Sequence, residues 1–269
     1  MTRVSKEQMA EIMFETFNVP ALGIESAGVL ALYAQGIRTG VVIDCGNRTK
    51  ITPIADGYPL PHAILQSSFG GLDIDNSWSR SLVDRYGPSY ARDQFTNDCQ
   101  LLKEQLGYTA ISISDERKRP ATDIAAKFRM HSGTNLHFDR ERFECGEILF
   151  SAAMPNGCNG LPEAVNWCIS KCESILRKDL FGAIILCGGS TCMDGFPDRL
   201  KLEIANAHSR TGLIFSSDPP TINIIAPANR KFAAWIGGAC LAQMDGFSQR
   251  LTTQAEYDDK GSSVLYDDK

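Results

Sequence analysis

Apolar runs of strand length alternate with segments of helical periodicity along this chain. The strands predicted from these runs are Ala21–Ile24, Gly40–Ile43, Ile51–Ala55, Tyr108–Ile113, Ile124–Met130, Leu136–Asp139, Ala183–Leu186 and Ile222–Ile225. The predicted helices are Glu7–Phe17, Ser26–Tyr33, 73–86, 91–106, 161–177, Pro197–Ala207 and Ala233–Met244. Helices alternating with strands predict an α/β architecture. Because short strands cluster at 40–56 and 108–139, a mixed sheet is favoured over a purely parallel one.

Charge and cysteine content narrow the functional class. Lys and Arg total 27 against 32 Asp and Glu, a net charge of -5, so we expect no direct nucleic-acid binding, which usually requires a basic face. The nine cysteines form no Cys-x-x-Cys pair, which indicates reduced thiols in the cytosol or nucleus. Cys168 and Cys172 have a spacing that could suit a metal, but apolar packing is the preferred interpretation. No apolar run approaches the roughly 20 residues that a membrane span needs.

The first segment with residues suited to ligand binding is Gly40–Thr49. In it an apolar strand ends at Asp44, and a turn containing Gly46 and Asn47 follows. Such a turn can present backbone N–H groups to a phosphate, while Asp44 holds a hydrated Mg²⁺. The same residues are also typical of a plain hairpin turn. Spacing alone leaves both interpretations open.

The second segment is the strand Ala183–Leu186, which ends in Cys187, Gly188 and Gly189. Paired glycines before a helix let a nucleotide approach bare backbone near the positive end of the helix dipole. The alternative is a tight strand-to-helix turn that needs a positive φ. The chain contains no P-loop pattern ending in Gly-Lys-Ser/Thr and no HExxH pattern, so nothing in it indicates a hydrolase built on a side-chain nucleophile.

Ten segments in order along the chain resemble the actin family: IMFETFNVPA at 12–21, GVLALYAQG at 28–36, GYPLPHAI at 57–64, KEQLGY at 103–108, ERFECGEILF at 141–150, LRKDL at 176–180, GGST at 188–191, IIAPANRKF at 224–232, WIGG at 235–238 and QAEYDDKG at 254–261. The resemblance implies the actin/Hsp70/hexokinase-type (ribonuclease H-like) α/β fold, with a nucleotide between two lobes. On this alignment the chain supplies the C-terminal lobe and part of the base, and the family's N-terminal portion has no counterpart. Residues 1–28 and 230–269 correspond to the base of the first lobe, 29–70 and 155–229 to the core of the second lobe, and 71–154 to its outer part.

The resemblance also implies a binding site for ATP or ADP with Mg²⁺. The family's second phosphate loop corresponds to Asp44, Gly46, Asn47 and Thr49, with Asp44 contacting the metal through water. Its purine and ribose contacts correspond to Lys103, Glu104, Gly188, Gly189, Ser190 and Lys231.

Several departures from the family pattern predict a weakened site. The first phosphate loop has no counterpart, and the glutamine that orients the attacking water aligns with Ala27, whose methyl group cannot form a hydrogen bond. Asn47 replaces an aspartate near the cation, and Gln100 replaces an arginine on the purine side. Extra residues between Ala207 and Thr221 predict a surface insertion. We therefore expect weakened nucleotide binding and no ATPase activity above background.

Resemblance further implies a cleft for actin-binding helices, whose lining corresponds to Tyr33, Gly36, Leu241 and Met244; the alternative is that these are core residues of two packed helices. Actin or actin-binding proteins are the expected partners, in a cytoskeletal role in the cytoplasm. The alternative is a non-hydrolysing scaffold subunit of a multi-subunit chromatin-remodelling complex in the nucleus.

Overall fold

The computed structural model describes residues 3–90, 96–211 and 221–266. Its helices are α1 (Arg3–Glu11, continued by a π-helical turn, Ile12–Thr16), α2 (Ala27–Tyr33), α3 (Gly71–Tyr86), α4 (Thr96–Leu106), α5 (Ile113–Glu116), α6 (Ala121–Ile124), α7 (Glu141–Glu144), α8 (Ile148–Ser151), α9 (Gly160–Ser170), α10 (Ser174–Gly182), α11 (Phe196–Thr211), α12 (Ala233–Ala242) and α13 (Gln254–Lys260). Its strands are β1 (Ala21–Leu22), β2 (Gly40–Cys45), β3 (Thr49–Ala55), β4 (Tyr58–Pro59), β5 (Leu65–Ser67), β6 (Ala126–Arg129), β7 (Asn135–Phe138), β8 (Ile184–Cys187), β9 (Ile224–Ile225) and β10 (Thr252–Thr253).

A six-stranded mixed sheet forms the centre of the fold. Its order is β4-β3-β2-β8-β9, and β5 also pairs with β3. β2 runs antiparallel to β3 and parallel to β8, which in turn runs parallel to β9. The predicted α/β class and mixed sheet are confirmed. Two smaller sheets, β1-β10 and β6-β7, lie outside it.

The central strands bury both faces, which explains why they read as continuous apolar runs. Val41 and Ile43 belong to a large cluster that includes residues of α3, α9 and α10. Val42 and Ile185 face a second cluster with residues of α2 and α12. Because successive side chains of a strand point to opposite faces, one sheet joins two helical layers.

Two predicted elements are wrong in type or extent. Tyr108–Ile113 is not a strand: Tyr108 forms a single bridge to Asp194, and Ile113 begins α5 with Ser112 as its cap. The predicted helix 161–177 is two helices. Arg177 donates hydrogen bonds to the carbonyl oxygens of Ser170, the last residue of α9, and Cys172, two residues beyond it. These carbonyl groups gain a partner outside the helix, so the chain can turn before α10 starts.

Smaller differences concern element ends. Ile124 closes α6, so the strand predicted from it begins at Ala126. The helix predicted to end at Ala207 continues to Thr211. The rest of the predicted insertion, residues 212–220, lies outside the described residues. Residues 91–95, at the start of the predicted helix 91–106, also lie outside them.

Cys168 and Cys172 are buried in the main core cluster, which confirms apolar packing. Burial raises the pKa of the Cys172 thiol to about 11. No helix within the described ranges combines the length and apolarity that crossing a bilayer requires.

Candidate functional site

The parallel pairing of β2 with β8 brings the two glycine-containing segments together. Asp44 is in register with Cys187 at the carboxyl ends of these strands. Gly188 follows with φ +87°, and a Cβ added there would lie 2.7 Å from Asp44 Oδ1 and 2.5 Å from the carbonyl carbon of Cys45. The close approach and the positive φ both require glycine. The positive φ that the tight-turn interpretation requires therefore occurs at Gly188, which also lies directly beside Asp44.

The Asp44 carboxyl lies in a partly buried position beside this turn. Burial raises its pKa, and the positive charge of Lys50, its neighbour on β3, opposes that rise. A partly desolvated carboxylate gains most from a nearby cation. The residue thus has the chemistry of a cation-binding group, whether the cation is bound directly or through water.

The turn between β2 and β3 is a short hairpin connection. Cys45 pairs with Thr49, which leaves Gly46, Asn47 and Arg48 in the turn. The carbonyl oxygens of Gly46 and Asn47 accept hydrogen bonds from Gly71 N (2.8 Å) and Leu72 N (3.4 Å) at the start of α3. The hairpin is therefore fixed against the N-terminus of a 16-residue helix.

Thr49 occupies a different environment from the other predicted phosphate-side residues. Its side chain is fully buried, and its hydroxyl donates to Cys45 Sγ at 3.6 Å. The structure thus directs this hydroxyl into the core. Asn47, by contrast, is exposed at the tip of the turn.

Four of the six predicted nucleoside-side residues line a cavity of about 240 Å³, and Gly188 and Ser190 lie outside its lining. Lys103 and Glu104 come from α4, Gly189 from the turn after β8, and Lys231 from the segment before α12; Gln105, Gly107, Cys192, Met193 and Asp194 complete the lining. Four residues chosen from three distant parts of the sequence therefore share one pocket.

Ion pairs hold the two lysines of this cavity in place. Lys231 Nζ lies 3.0 Å from Glu104 Oε1, which also accepts a hydrogen bond from Gln100 at 3.2 Å. The bond from Lys231 is the main cause of the lowered pKa of Glu104, and Gln100 adds to it. Lys103 Nζ lies 2.8 Å from Asp75 Oδ1 and 3.3 Å from the carbonyl oxygen of Gly71. Burial raises the pKa of Asp75, and Lys103 opposes that rise.

Gly71 and Ser190 connect the cavity with the hairpin. Ser190 is buried, and a Cβ added at Gly71 would lie 2.5 Å from Ser190 Oγ, 2.8 Å from Gly46 O and 3.4 Å from Lys103 Nζ. The phosphate-side and nucleoside-side residues are therefore contiguous around one glycine. Gly71 was not among the predicted site residues, because a glycine at a helix start carries no distinctive signal in one sequence.

Arg230 is a second residue that sequence reasoning missed. Its guanidinium donates to Thr191 O at 3.0 Å and to Pro227 O at 2.8 Å, while its carbonyl oxygen accepts from Gly188 N at 3.3 Å. It thereby ties the Gly188–Thr191 turn to the segment that carries Lys231. Its position beside Lys231 in the IIAPANRKF segment was the available signal.

The predicted partner-cleft residues are spread over a wider area. Leu241 lines a second cavity, of about 340 Å³, whose lining does not include Tyr33, Gly36 or Met244. Tyr33 packs on the core cluster beneath α2 and α12, and Gly36 lies just past the end of α2 with φ +66°. Met244 is 55% exposed.

Similarity to known proteins extends over almost the whole chain. The Actin family model matches residues 1–267. Actin-like protein 7A of Rattus norvegicus is 31% identical over 264 residues, which cover 97% of this chain and 58% of that protein. The Mus musculus and Homo sapiens proteins of the same name are 31% and 30% identical over the same share of each chain. This chain therefore spans 58% of the length of the relatives it matches.

Proposed function

The chain belongs to the actin family, and from that premise we propose that it is an actin-like cytoskeletal protein that binds ATP or ADP with Mg²⁺ weakly and does not hydrolyse ATP. The observation that carries this proposal is the convergence of Lys103, Glu104, Gly189 and Lys231 on one cavity, with Asp44 and Gly188 beside it. Lys103, Glu104 and Lys231 supply charged groups that can form hydrogen bonds with a nucleoside, and the glycines allow close backbone approach.

Weak rather than tight binding is expected from two residues of the site. The turn after β2 carries Asn47 where the family has an aspartate, and Gln100 stands where the family has an arginine. A charge-assisted hydrogen bond contributes about 1.5–3 kcal/mol, so each such contact that is lost weakens binding by about that amount. The two lysines are also engaged by Glu104 and Asp75, and a ligand must compete with these partners.

Thermal unfolding with and without millimolar Mg-ATP tests nucleotide binding, since a ligand that binds the native state alone raises its stability. We expect an upward shift that Lys231→Ala reduces and that Lys178→Ala leaves unchanged. Lys178 is an exposed residue of α10, outside the cavity lining. A cooperative transition that does not move with Mg-ATP would contradict nucleotide binding and indicate a scaffold.

The proposed lack of ATP hydrolysis rests on Ala27. This exposed residue begins α2, and its methyl group cannot orient a water molecule by hydrogen bonding. A phosphate-release assay on the purified chain should show no turnover above background. Turnover that disappears in the Asp44→Ala variant would contradict the proposal, because that dependence would place catalysis at this site.

The cavity beside Leu241, which has apolar and charged lining residues, supports a second, protein-binding role. We propose that actin-binding proteins insert an apolar group there, as the resemblance implies for the partner cleft. A Leu241→Asp variant should lose such a partner. Leu241 is only 6% exposed, so thermal unfolding must accompany the binding assay to separate lost binding from lost folding.

A nuclear scaffold subunit of a chromatin-remodelling complex is the alternative, favoured by Ala27 because a scaffold does not need hydrolysis. Affinity purification of the tagged chain separates the two roles. Recovery of actin and actin-binding proteins supports the cytoskeletal role, whereas recovery of a stable nuclear assembly supports the alternative.

A further inference from the structure

The cavity of about 340 Å³ lies against α12 and is lined by both apolar and charged residues. Its apolar wall consists of Ile24, Leu30, Leu241 and Phe247, and its charged residues are Glu25 and Arg250. A concave apolar site with a few convergent polar groups is the usual form of a binding site. The arrangement can therefore distinguish between apolar groups that carry a charge and those that do not.

Gly238 is the residue that keeps this cavity open. A Cβ added at its neighbour Gly237 would overlap the carbonyl group of Leu30, so close helix packing accounts for that glycine. A Cβ added at Gly238 would meet only Leu30 Cδ1, at 3.8 Å, which is ordinary contact. Glycine costs about 1 kcal/mol in a helix interior relative to alanine. Helix packing therefore does not require glycine at position 238. The absence of a side chain there instead leaves space in the cavity that Gly238 lines.

Arg250 has spare hydrogen-bonding capacity at the edge of the cavity. Within the described part of the chain, its guanidinium makes one ion pair, from Nη2 to Glu25 Oε2 at 3.4 Å. The other oxygen of Glu25 accepts a hydrogen bond from Ser26 N at 2.7 Å, which fixes the carboxylate on its own backbone. A guanidinium has five N–H donors and binds a planar carboxylate with two of them. Arg250 can therefore take a second carboxylate without losing Glu25.

The surroundings of the cavity fit a peptide better than a small free acid. Met244 N donates to Leu241 O, and Phe247 N donates to Met244 O, so Met244 lies in the turn between two wall residues. Its side chain is 55% exposed. An exposed apolar side chain next to an apolar cavity extends the contact surface beyond the cavity itself, which suits a chain that crosses the mouth.

We propose that Arg250 pairs with an acidic residue of the partner peptide, adjacent to the apolar side chain that the protein-binding role places in this cavity. This inference rests on the protein-binding role proposed above and adds the acidic specificity. Arg250 is thus a specificity-determining residue of the surface, and Gly238 provides the space that the apolar group fills.

Two labelled peptide probes test the inference with the full chain. One probe contains a phenylalanine followed by a glutamate, and the other has glutamine in place of glutamate. Fluorescence anisotropy should show about fivefold tighter binding of the glutamate probe, as expected for one partly exposed ion pair. Arg250→Gln should remove this preference, so that the two probes bind the variant equally, whereas Arg80→Gln, at an exposed arginine of α3, should preserve it.

The Gly238→Leu variant tests the protein-binding role of the cavity separately from the acidic specificity of Arg250. Leucine is a better helix former than glycine, and its side chain would occupy the cavity, so both probes should lose binding while the thermal transition is retained; Gly238→Ala should keep most of the binding. If both probes bind the wild-type chain equally and Gly238→Leu blocks them, the acidic specificity is wrong and the protein-binding role stands. If neither probe binds, or if Gly238→Leu changes nothing, the protein-binding role at this cavity is wrong as well.

Discussion

Gly188 and Gly189 are adjacent in the sequence but are glycine for different reasons. Gly188 has φ +87°, and a Cβ there would lie 2.5 Å from the carbonyl carbon of Cys45. Gly189 lines the cavity, and a Cβ there would meet only the Lys231 side chain, at 3.9 Å. The first glycine serves the close approach of β8 to β2, and the second keeps the cavity open beside Lys231.

We therefore expect Gly188→Ala to destabilise the chain by about 2 kcal/mol or more, because alanine is strained at this φ and overlaps neighbouring backbone. Gly189→Ala should leave the free energy of unfolding nearly unchanged and reduce only the shift produced by Mg-ATP. Urea unfolding of both variants measures the difference. Equal destabilisation by the two substitutions would contradict this assignment.

Asp44 gives the chain a specific pH dependence. Burial raises its pKa in the folded state, so the folded chain binds more protons than the unfolded chain between the two pKa values. The stability that Asp44 contributes is therefore present in acid and falls as pH rises through that interval. At neutral pH the ionised carboxylate opposes folding unless a cation is bound.

The Asp44→Asn variant should accordingly be more stable than the wild-type chain at neutral pH without nucleotide. A gain of about 1 kcal/mol would raise the midpoint by roughly 2–4 °C, and the gain should shrink as pH falls toward about 4. Asp179→Asn, at an exposed residue of α10, is the matched control. Thermal unfolding across this pH range measures the effect; a variant less stable at every pH would rule it out.

Among the helices, α12 shows how one stripe of an apolar sequence is selected for burial. The segment is apolar on all sides, yet its buried residues are Ala233, Gly237 and Leu241, which are four positions apart. This spacing places them on one face of the helix, and that face packs on α2. The sequence alone shows an apolar helix, and the position of α2 determines the buried side.

Gly237→Ala should therefore be one of the most disruptive small changes in the chain. The added methyl group would overlap the Leu30 carbonyl group and force α12 away from α2, with an expected loss of about 3 kcal/mol. Gly238→Ala should be neutral or stabilising, because alanine favours the helix. Chemical denaturation of the pair checks this prediction, which fails if the two variants are equally stable.

Exposed large apolar side chains concentrate at the two ends of the described chain. Residues 3–28 and 230–266 contribute Val4, Met9, Ile12, Phe17, Phe232, Trp235, Met244 and Tyr266. The much longer middle part contributes Tyr58, Leu72, Ile111, Ile175 and Leu202. Trp235 on α12 is 76% exposed and follows Phe232, which is 59% exposed. Clustered exposure of this kind promotes association of molecules more than scattered single residues do.

We expect Trp235→Gln to reduce self-association of the purified chain without lowering its unfolding midpoint. Ile175→Gln is the matched control, since Ile175 is 79% exposed but lies on α10, away from these clusters in sequence. Light scattering over a concentration series measures association. An equal effect of both substitutions would show that total apolar exposure, and not the α12 surface, governs the behaviour.

For the candidate site, the sequence determined which residues to consider, and the fold determined their roles. Asp44, Gly188, Lys103, Glu104 and Lys231 were identified from local patterns and family resemblance. Thr49 was grouped with them, but its hydroxyl faces Cys45 in the core. Gly71 and Arg230 were missed, because their contacts join segments that are far apart in the sequence.

What the sequence determined by itself is the set of local structures and the family: alternating apolar patterns, glycine turns and motifs depend on residues near each other in the chain. What the tertiary structure decided is which of those segments meet. The pairing of β2 with β8 places Asp44 beside Gly188, and the packing of α12 on α2 opens the cavity at Gly238. Tyr108–Ile113 forms no strand, because Tyr108 N and Thr109 N donate to the carbonyl oxygens of Arg142 and Asp194. Such contacts are non-local, so no short window of sequence contains them.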